Sequence, residues 1–105
     1  ASRIGIIPFG YADGLPRSLS SRCAATAANA LLPVLGRISM DQIIVDLTDA
    51  PDVRVGRRVT LISPDPAAPN SVMNLARLAG TIPYEITSRL GRRIRYVMVD
   101  EFDEL

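Results

Sequence analysis

Turn-forming residues cut this chain into short apolar runs, and that spacing limits the fold more than any other feature. Arg3 to Phe9 is rich in isoleucine and reads as a strand. The next segment, Gly10-Tyr11-Ala12-Asp13-Gly14-Leu15-Pro16-Arg17, is a loop by its glycines, aspartate and proline. Arg22 to Thr26 reads as a strand of poor β-propensity, followed by a turn at Asn29-Ala30 and a strand from Leu32 to Ile38. Ser39-Met40-Asp41-Gln42 breaks the pattern before the strand Ile43 to Leu47. Thr48 to Arg54 is a connection, Arg58 to Ile62 a further strand, and Ser63 to Pro69, with its three prolines, a loop. The period then becomes helical. Val72, Leu75, Leu78 and Ala79 share one face of a helix capped by Asn70 or Ser71 and stopped by Gly80. Thr81 caps a second helix with Pro83 in its first turn, Ile86 and Leu90 on one face and Gly91 as its stop. A strand from Ile94 to Val99 and an acidic end follow. About six short strands and two short helices favour a mainly β fold, a small barrel or sandwich.

The 105 residues, 48% of them apolar, suffice for one domain with a modest core. A net charge of +1, with both signs interspersed, argues against broad attraction to nucleic acid or to an anionic membrane. No apolar run reaches membrane-spanning length, and the first residues open straight into a strand rather than a signal peptide; the expected compartment is the cytoplasm. The absences are more informative. There is no histidine and one cysteine, Cys23, so the usual transition-metal sites, Ser-His or Cys-His nucleophile pairs and an intrachain disulfide are excluded. All twelve basic residues are arginine. Without lysine, no side chain here forms a Schiff base with a carbonyl cofactor.

Several local patterns carry both a functional and an ordinary reading. Glycines around Tyr11 let the backbone approach another element and leave a phenol exposed; Tyr11 is equally an incidental turn residue. Gly36-Arg37-Ile38-Ser39-Met40-Asp41 can present a backbone N–H to an anion, with Asp41 fixing the corner, or it is a plain strand connection. Arg17 and Arg37 either form a cationic vestibule for a carboxylate or are solvated surface. Ser71 to Arg95 imitates a helix-turn-helix ending in basic residues. Pro83 and Glu85 stand where base contacts would be made, and the acidic end follows closely, so nucleic-acid binding is disfavoured.

Three segments are more specific together than apart: Ile4-Gly-Ile-Ile-Pro-Phe-Gly-Tyr-Ala-Asp-Gly-Leu-Pro-Arg17, Pro33-Val-Leu-Gly-Arg-Ile-Ser-Met-Asp-Gln-Ile-Ile-Val-Asp-Leu47 and Gly80-Thr-Ile-Pro-Tyr-Glu-Ile86. In this order the chain resembles the alanine racemase C-terminal domain from Arg3 to about Arg95. The resemblance implies a small Greek-key β-barrel. It also implies a setting: pyridoxal phosphate as cofactor, a homodimer, alanine as substrate of the complete enzyme, and an active site between one subunit's N-terminal TIM-type barrel and the other's C-terminal domain. In that family a barrel lysine binds the cofactor covalently, and that lysine and a tyrosine are the two bases at the α-carbon.

By the same resemblance, Tyr84 matches the tyrosine that hydrogen-bonds the cofactor phosphate. Met40 matches the residue whose backbone N–H meets the substrate carboxylate, with Asp41 shaping that corner. Tyr11 matches the gate tyrosine of the substrate corridor, and Arg17, Arg37 and Ile82 its lining. The family's catalytic tyrosine lies upstream of the first strand, and Tyr11 is not its counterpart. No catalytic residue is therefore assigned, and the expectation is an inactive isolated chain with little or no cofactor bound, self-associating through an exposed apolar face. The alternatives are a free-standing domain that binds small molecules or proteins and, last, the helix-turn-helix.

Overall fold

The computed structural model describes residues 2–27, 30–91 and 94–95. Four strands, β1 (Ile4–Ile7), β2 (Ala24–Ala27), β3 (Ala30–Leu35) and β4 (Ile43–Asp46), pair antiparallel in the order β1-β4-β3-β2. The consecutive strands β2, β3 and β4 lie side by side, and β1 crosses to pair with β4, which is a Greek-key order. The register places Gly5 and Val34 on either side of Val45. β3 changes partner along its length: Ala30 to Pro33 face β2, whereas Val34 and Leu35 face β4.

Alternation decides which face is buried. Ala25, Ala27, Leu32, Val34, Ile43 and Val45 point into one core, while Ile4, Ile6, Leu35 and Ile44 stay exposed on the other face. Leu15, Leu19, Leu47, Val53 and Leu75 complete the core from outside the sheet. Leu75 comes from α1 (Val72–Ala79), whose N-terminus is capped as expected: the Ser71 hydroxyl accepts the Asn74 N–H at 3.1 Å. Gly80, with φ of 73°, ends the helix in the left-handed region.

The structure corrects the expected fold at several points. Among the described residues the sheet is open and has four strands, not a closed barrel of six. Arg58 to Ile62 forms no strand. Thr60 alone bridges Thr26, with N–H···O distances of 2.7 and 2.9 Å. The apolar residues there serve burial: Val59, Leu61 and Ile62 pack against the core, and the prolines that follow cannot donate to a ladder. The buried Asn70 amide secures this bridge by donating to Thr60 O at 2.8 Å and Thr26 Oγ1 at 3.2 Å. Ala30, expected in a turn, already pairs with Ala27, and β3 stops at Leu35 because Gly36 turns to φ +69°. The second helix, α2 (Pro83–Ser88), is capped by Ile82, not Thr81, and has its C-cap at Arg89, before Gly91. Thr81 donates its hydroxyl to Glu85 instead. The expected strand Ile94 to Val99 lies outside the described residues from position 96 onward. No helix among the described residues is long and apolar enough to cross a membrane.

Candidate functional site

The long β1–β2 connection supplies the first site segment. It begins with a 3-10 turn, Tyr11–Asp13, continues into a second, Arg17–Leu19, and returns to the sheet at β2. The first turn is closed on itself. Asp13 is buried; its Oδ2 accepts the Gly10 N–H at 3.0 Å, and its own N–H donates to Gly10 O at 3.0 Å.

This closed turn is clamped on two sides. Toward the β3–β4 connection, Tyr11 N–H donates to Ser39 O at 3.0 Å and Ala12 N–H to Met40 O at 2.9 Å. Gly10 permits that approach, since a Cβ there would lie 2.2 Å from Ser39 O and 2.6 Å from Met40 O. Toward the end of α2, Gly91 N–H donates to Asp13 O at 3.0 Å. Two glycines cross at this second contact. A Cβ on Gly14 would meet Arg89 O at 2.7 Å, and one on Gly91 would meet Ala12 O at 2.8 Å.

The sequence-predicted residues therefore divide into those the structure brings together and those it leaves apart. Tyr11 and Met40 share one corner, locked by backbone hydrogen bonds, and both side chains remain about half exposed, at 44% and 55%. Arg17 joins them: its guanidinium carbon sits 5.9 Å from the Tyr11 ring centroid, a cation–π contact. Asp41 and Arg37 are exposed on the same β3–β4 connection, flanking the buried Ile38. Ile82 and Tyr84 stand at the start of α2 with most of their surface exposed, 60% and 76%. The chain just after α2 is held by the Gly91–Asp13 contact, so the helix carrying Tyr84 is tied to the turn that bears Tyr11.

Charge on α2 is locally balanced. Arg89 pairs with Glu85 at 2.6 Å, one helical turn away. A helix of six residues with no basic residue in its last turn, and with its C-cap arginine so engaged, is a poor recognition element for a duplex groove. A cavity of about 510 Å³ opens elsewhere, between β1 and the segment from Val53 to Val59, and none of the sequence-predicted residues lines it.

Sequence reasoning missed Asp13, Gly14 and Gly91 as parts of this site. The doublet of glycines around an aspartate was visible, and close approach to another element was foreseen. The element approached was not, because it lies more than seventy residues downstream.

Residues 1–98 match the family described as "Alanine racemase, C-terminal domain". An alanine racemase of Acidiphilium cryptum is 47% identical over 97 residues, which is 92% of this chain and 26% of that protein. A catabolic alanine racemase of Agrobacterium fabrum is 47% identical over 96 residues, covering 90% and 24%. Among solved structures, alanine racemase from Streptomyces coelicolor superposes with a TM-score of 0.83 at 38% identity, over 95% of this chain and 26% of that one. The Bartonella henselae enzyme, solved with covalently bound pyridoxal phosphate, gives 0.80 at 38% identity, over 93% and 28%. The chain thus spans about a quarter of the length of these relatives.

Proposed function

The chain belongs to the alanine racemase C-terminal domain family, and from that premise we propose that it supplies one side of a pyridoxal-phosphate-dependent alanine racemase site. The observation that carries this reading is the locked corner of Tyr11 and Met40, with Tyr84 exposed on the helix clamped to it.

Each residue has a supporting role. The hydroxyl of the exposed Tyr84 is a hydrogen-bond donor suited to a phosphate oxygen, and so fits the phosphate end of the cofactor. The other end needs an amine, and with no lysine in the sequence that amine comes from a racemase N-terminal barrel. When bound, the cofactor supplies an electron sink for the carbanion at the α-carbon of alanine. The Met40 backbone N–H meets the substrate carboxylate, at a corner whose carbonyls are already held by Tyr11 and Ala12. Asp41 shapes that corner. Tyr11, braced by Arg17, narrows the approach, and Arg37 and Ile82 line it further out. In this reading the two proton-transferring groups stand outside these residues, the domain meets the barrel of a partner subunit in a homodimer, and the chain alone is catalytically silent.

The test is racemisation of L-alanine with added pyridoxal phosphate, followed by polarimetry, for this chain alone and then mixed with a matching N-terminal barrel half. The expected result is silence alone and activity on mixing. Silence in the mixture would remove the racemase reading, and activity of the chain alone would overturn the assignment of roles.

A further inference from the structure

Met40 takes its carboxylate role through a backbone N–H, and a backbone N–H is aimed by the peptide plane that carries it. The Ser39–Met40 peptide is trans, so the Met40 N–H lies antiparallel to the Ser39 carbonyl. That carbonyl is held, since it accepts the Tyr11 N–H at 3.0 Å. Met40 N–H therefore points away from the Tyr11–Asp13 turn. The plane on the other side of Met40 is held as well: Met40 O accepts the Ala12 N–H at 2.9 Å. With both flanking planes fixed, the two backbone dihedrals of Met40 are fixed too. The Ile38 and Ser39 N–H groups are engaged, on Ser20 Oγ at 2.8 Å and Gln42 O at 3.1 Å. Met40 N–H has no partner among the described residues.

The turn that grips these planes is itself closed by one buried side chain. Asp13 Oδ2 accepts the Gly10 N–H at 3.0 Å, and Gly10 is buried where a Cβ would strike Ser39 O and Met40 O. Without that acceptor, the Gly10 N–H would sit in a crowded place with no partner, a costly arrangement. It is relieved only by moving Gly10 away from the β3–β4 connection, which lengthens both grips.

We propose that Asp13 is a positioning residue for the Met40 N–H: it closes the turn whose Tyr11 and Ala12 amides hold the planes on either side of Met40, and so fixes the direction in which that donor meets a carboxylate. The carboxylate rests on the racemase reading, and the grip does not. Asp13 itself touches no ligand.

Two measurements separate the grip from its use. Amide hydrogen exchange on the full chain reads the grip. Asp13→Ala is expected to speed exchange at Tyr11 and Ala12 by about tenfold or more, while the Thr26 and Val34 amides of the sheet keep their rates. Asp13→Asn, which retains an acceptor oxygen for the Gly10 N–H, is expected to restore most of the protection. Unchanged rates at Tyr11 and Ala12 in Asp13→Ala would overturn the proposal. Should that variant unfold, seen as lost protection at Thr26 and Val34, Asp13→Glu is read in its place, because it keeps the charge but displaces the acceptor.

Titration of the full chain with propionate, the carboxylate of alanine without its amine, reads the use. Chloride at equal ionic strength is the control. The Met40 amide resonance is expected to shift and saturate with propionate and not with chloride. Asp13→Ala should weaken that response about tenfold, and Asp13→Asn should return it to within about threefold of the parent. Equal affinity in the parent and Asp13→Ala, or no rescue by asparagine, would overturn the positioning role. No response at Met40 in the unsubstituted chain would remove its carboxylate role and the use with it, while exchange still decides the grip. Failure to complement the barrel half with the Met40 response intact would remove the racemase reading alone.

Discussion

Two sets of glycine turns in this chain look alike in sequence and serve opposite purposes. Gly10, Gly14 and Gly91 are crowded, each with a backbone atom within 3 Å of where a Cβ would stand. Gly36, Gly56 and Gly80 have nothing within 4 Å and sit at φ between +69° and +90°. The first set exists for close approach between distant segments. The second exists for local chain reversal, which glycine allows at no steric cost. Gly14 does both, with φ of +110° beside Arg89. The crowded set surrounds the candidate site, whereas Gly36 and Gly80 follow the ends of β3 and α1 and Gly56 turns the β4–α1 connection, so crowding marks the site better than glycine content does.

The largest effect that tests this contrast is Gly10→Ala. Its new methyl would collide with the Ser39 and Met40 backbone, which cannot swing aside as a side chain would. We expect a loss of about 3 kcal/mol or more in urea unfolding, from backbone overpacking. A loss below about 1 kcal/mol would show that the corner gives way easily. A core reference comes next: Leu75→Ala, fully buried between α1 and the sheet, should lose about 2–5 kcal/mol, whereas the exposed Met73→Ala should stay within about 0.5 kcal/mol. Gly56→Ala then isolates the conformational term. With open space around it, the variant pays only for φ of +90°, about 1 kcal/mol, and Gly56→Asn should recover part of that. Equal losses at Gly10 and Gly56 would erase the distinction between the two sets.

Two smaller effects concern titration. Burial pushes the half-buried Cys23 thiol up from 9.0 to about 11. Since the folded thiol keeps its proton to higher pH than the unfolded one, this contribution to stability is complete below pH 9.0. It is lost as pH rises through about 11. Alkylation by iodoacetamide at pH 8 should accordingly be slow in the folded chain and fast in denaturant. Asp46 shifts the other way, held down by hydrogen bonds from the Thr48 side chain and then its backbone N–H, the latter at 2.9 Å. Its contribution is present above the unfolded carboxylate's value and lost as pH falls through the folded one. Thr48→Val should raise the Asp46 titration midpoint seen by NMR, with little change in stability because the carboxylate is fully exposed.

Local sequence made much of the fold legible. The alternation of Ile43 to Asp46 placed β4, and the Ser71 cap and Gly80 stop bounded α1, because capping and side-chain period act within a few residues. The segment from Arg58 to Ile62 shows where this fails. Its alternation is that of a strand, but a ladder needs a partner, and only Thr60 finds one. Likewise Thr81 is a good capping residue by type, yet its hydroxyl turns to Glu85 and leaves the N-cap position to Ile82. The residues presumed by resemblance to touch ligand were identifiable as motif positions, while Asp13 and Gly91, which hold those positions in place, were not.

The sequence by itself determined what chemistry this chain lacks. With no lysine and no histidine, it contains no Schiff-base amine and no imidazole base, and no folding changes that inventory. It also determined family membership, through three motifs in order. Tertiary structure alone decided that Gly10 to Gly14 is gripped between Ser39-Met40 and Arg89-Gly91, that Asp13 is buried at the centre of that grip, and that the described sheet stays open. Those facts depend on backbone groups meeting across tens of residues. Backbone N–H and C=O groups are the same in every residue, so their pairing leaves no mark in the sequence beyond the glycines that make room for it.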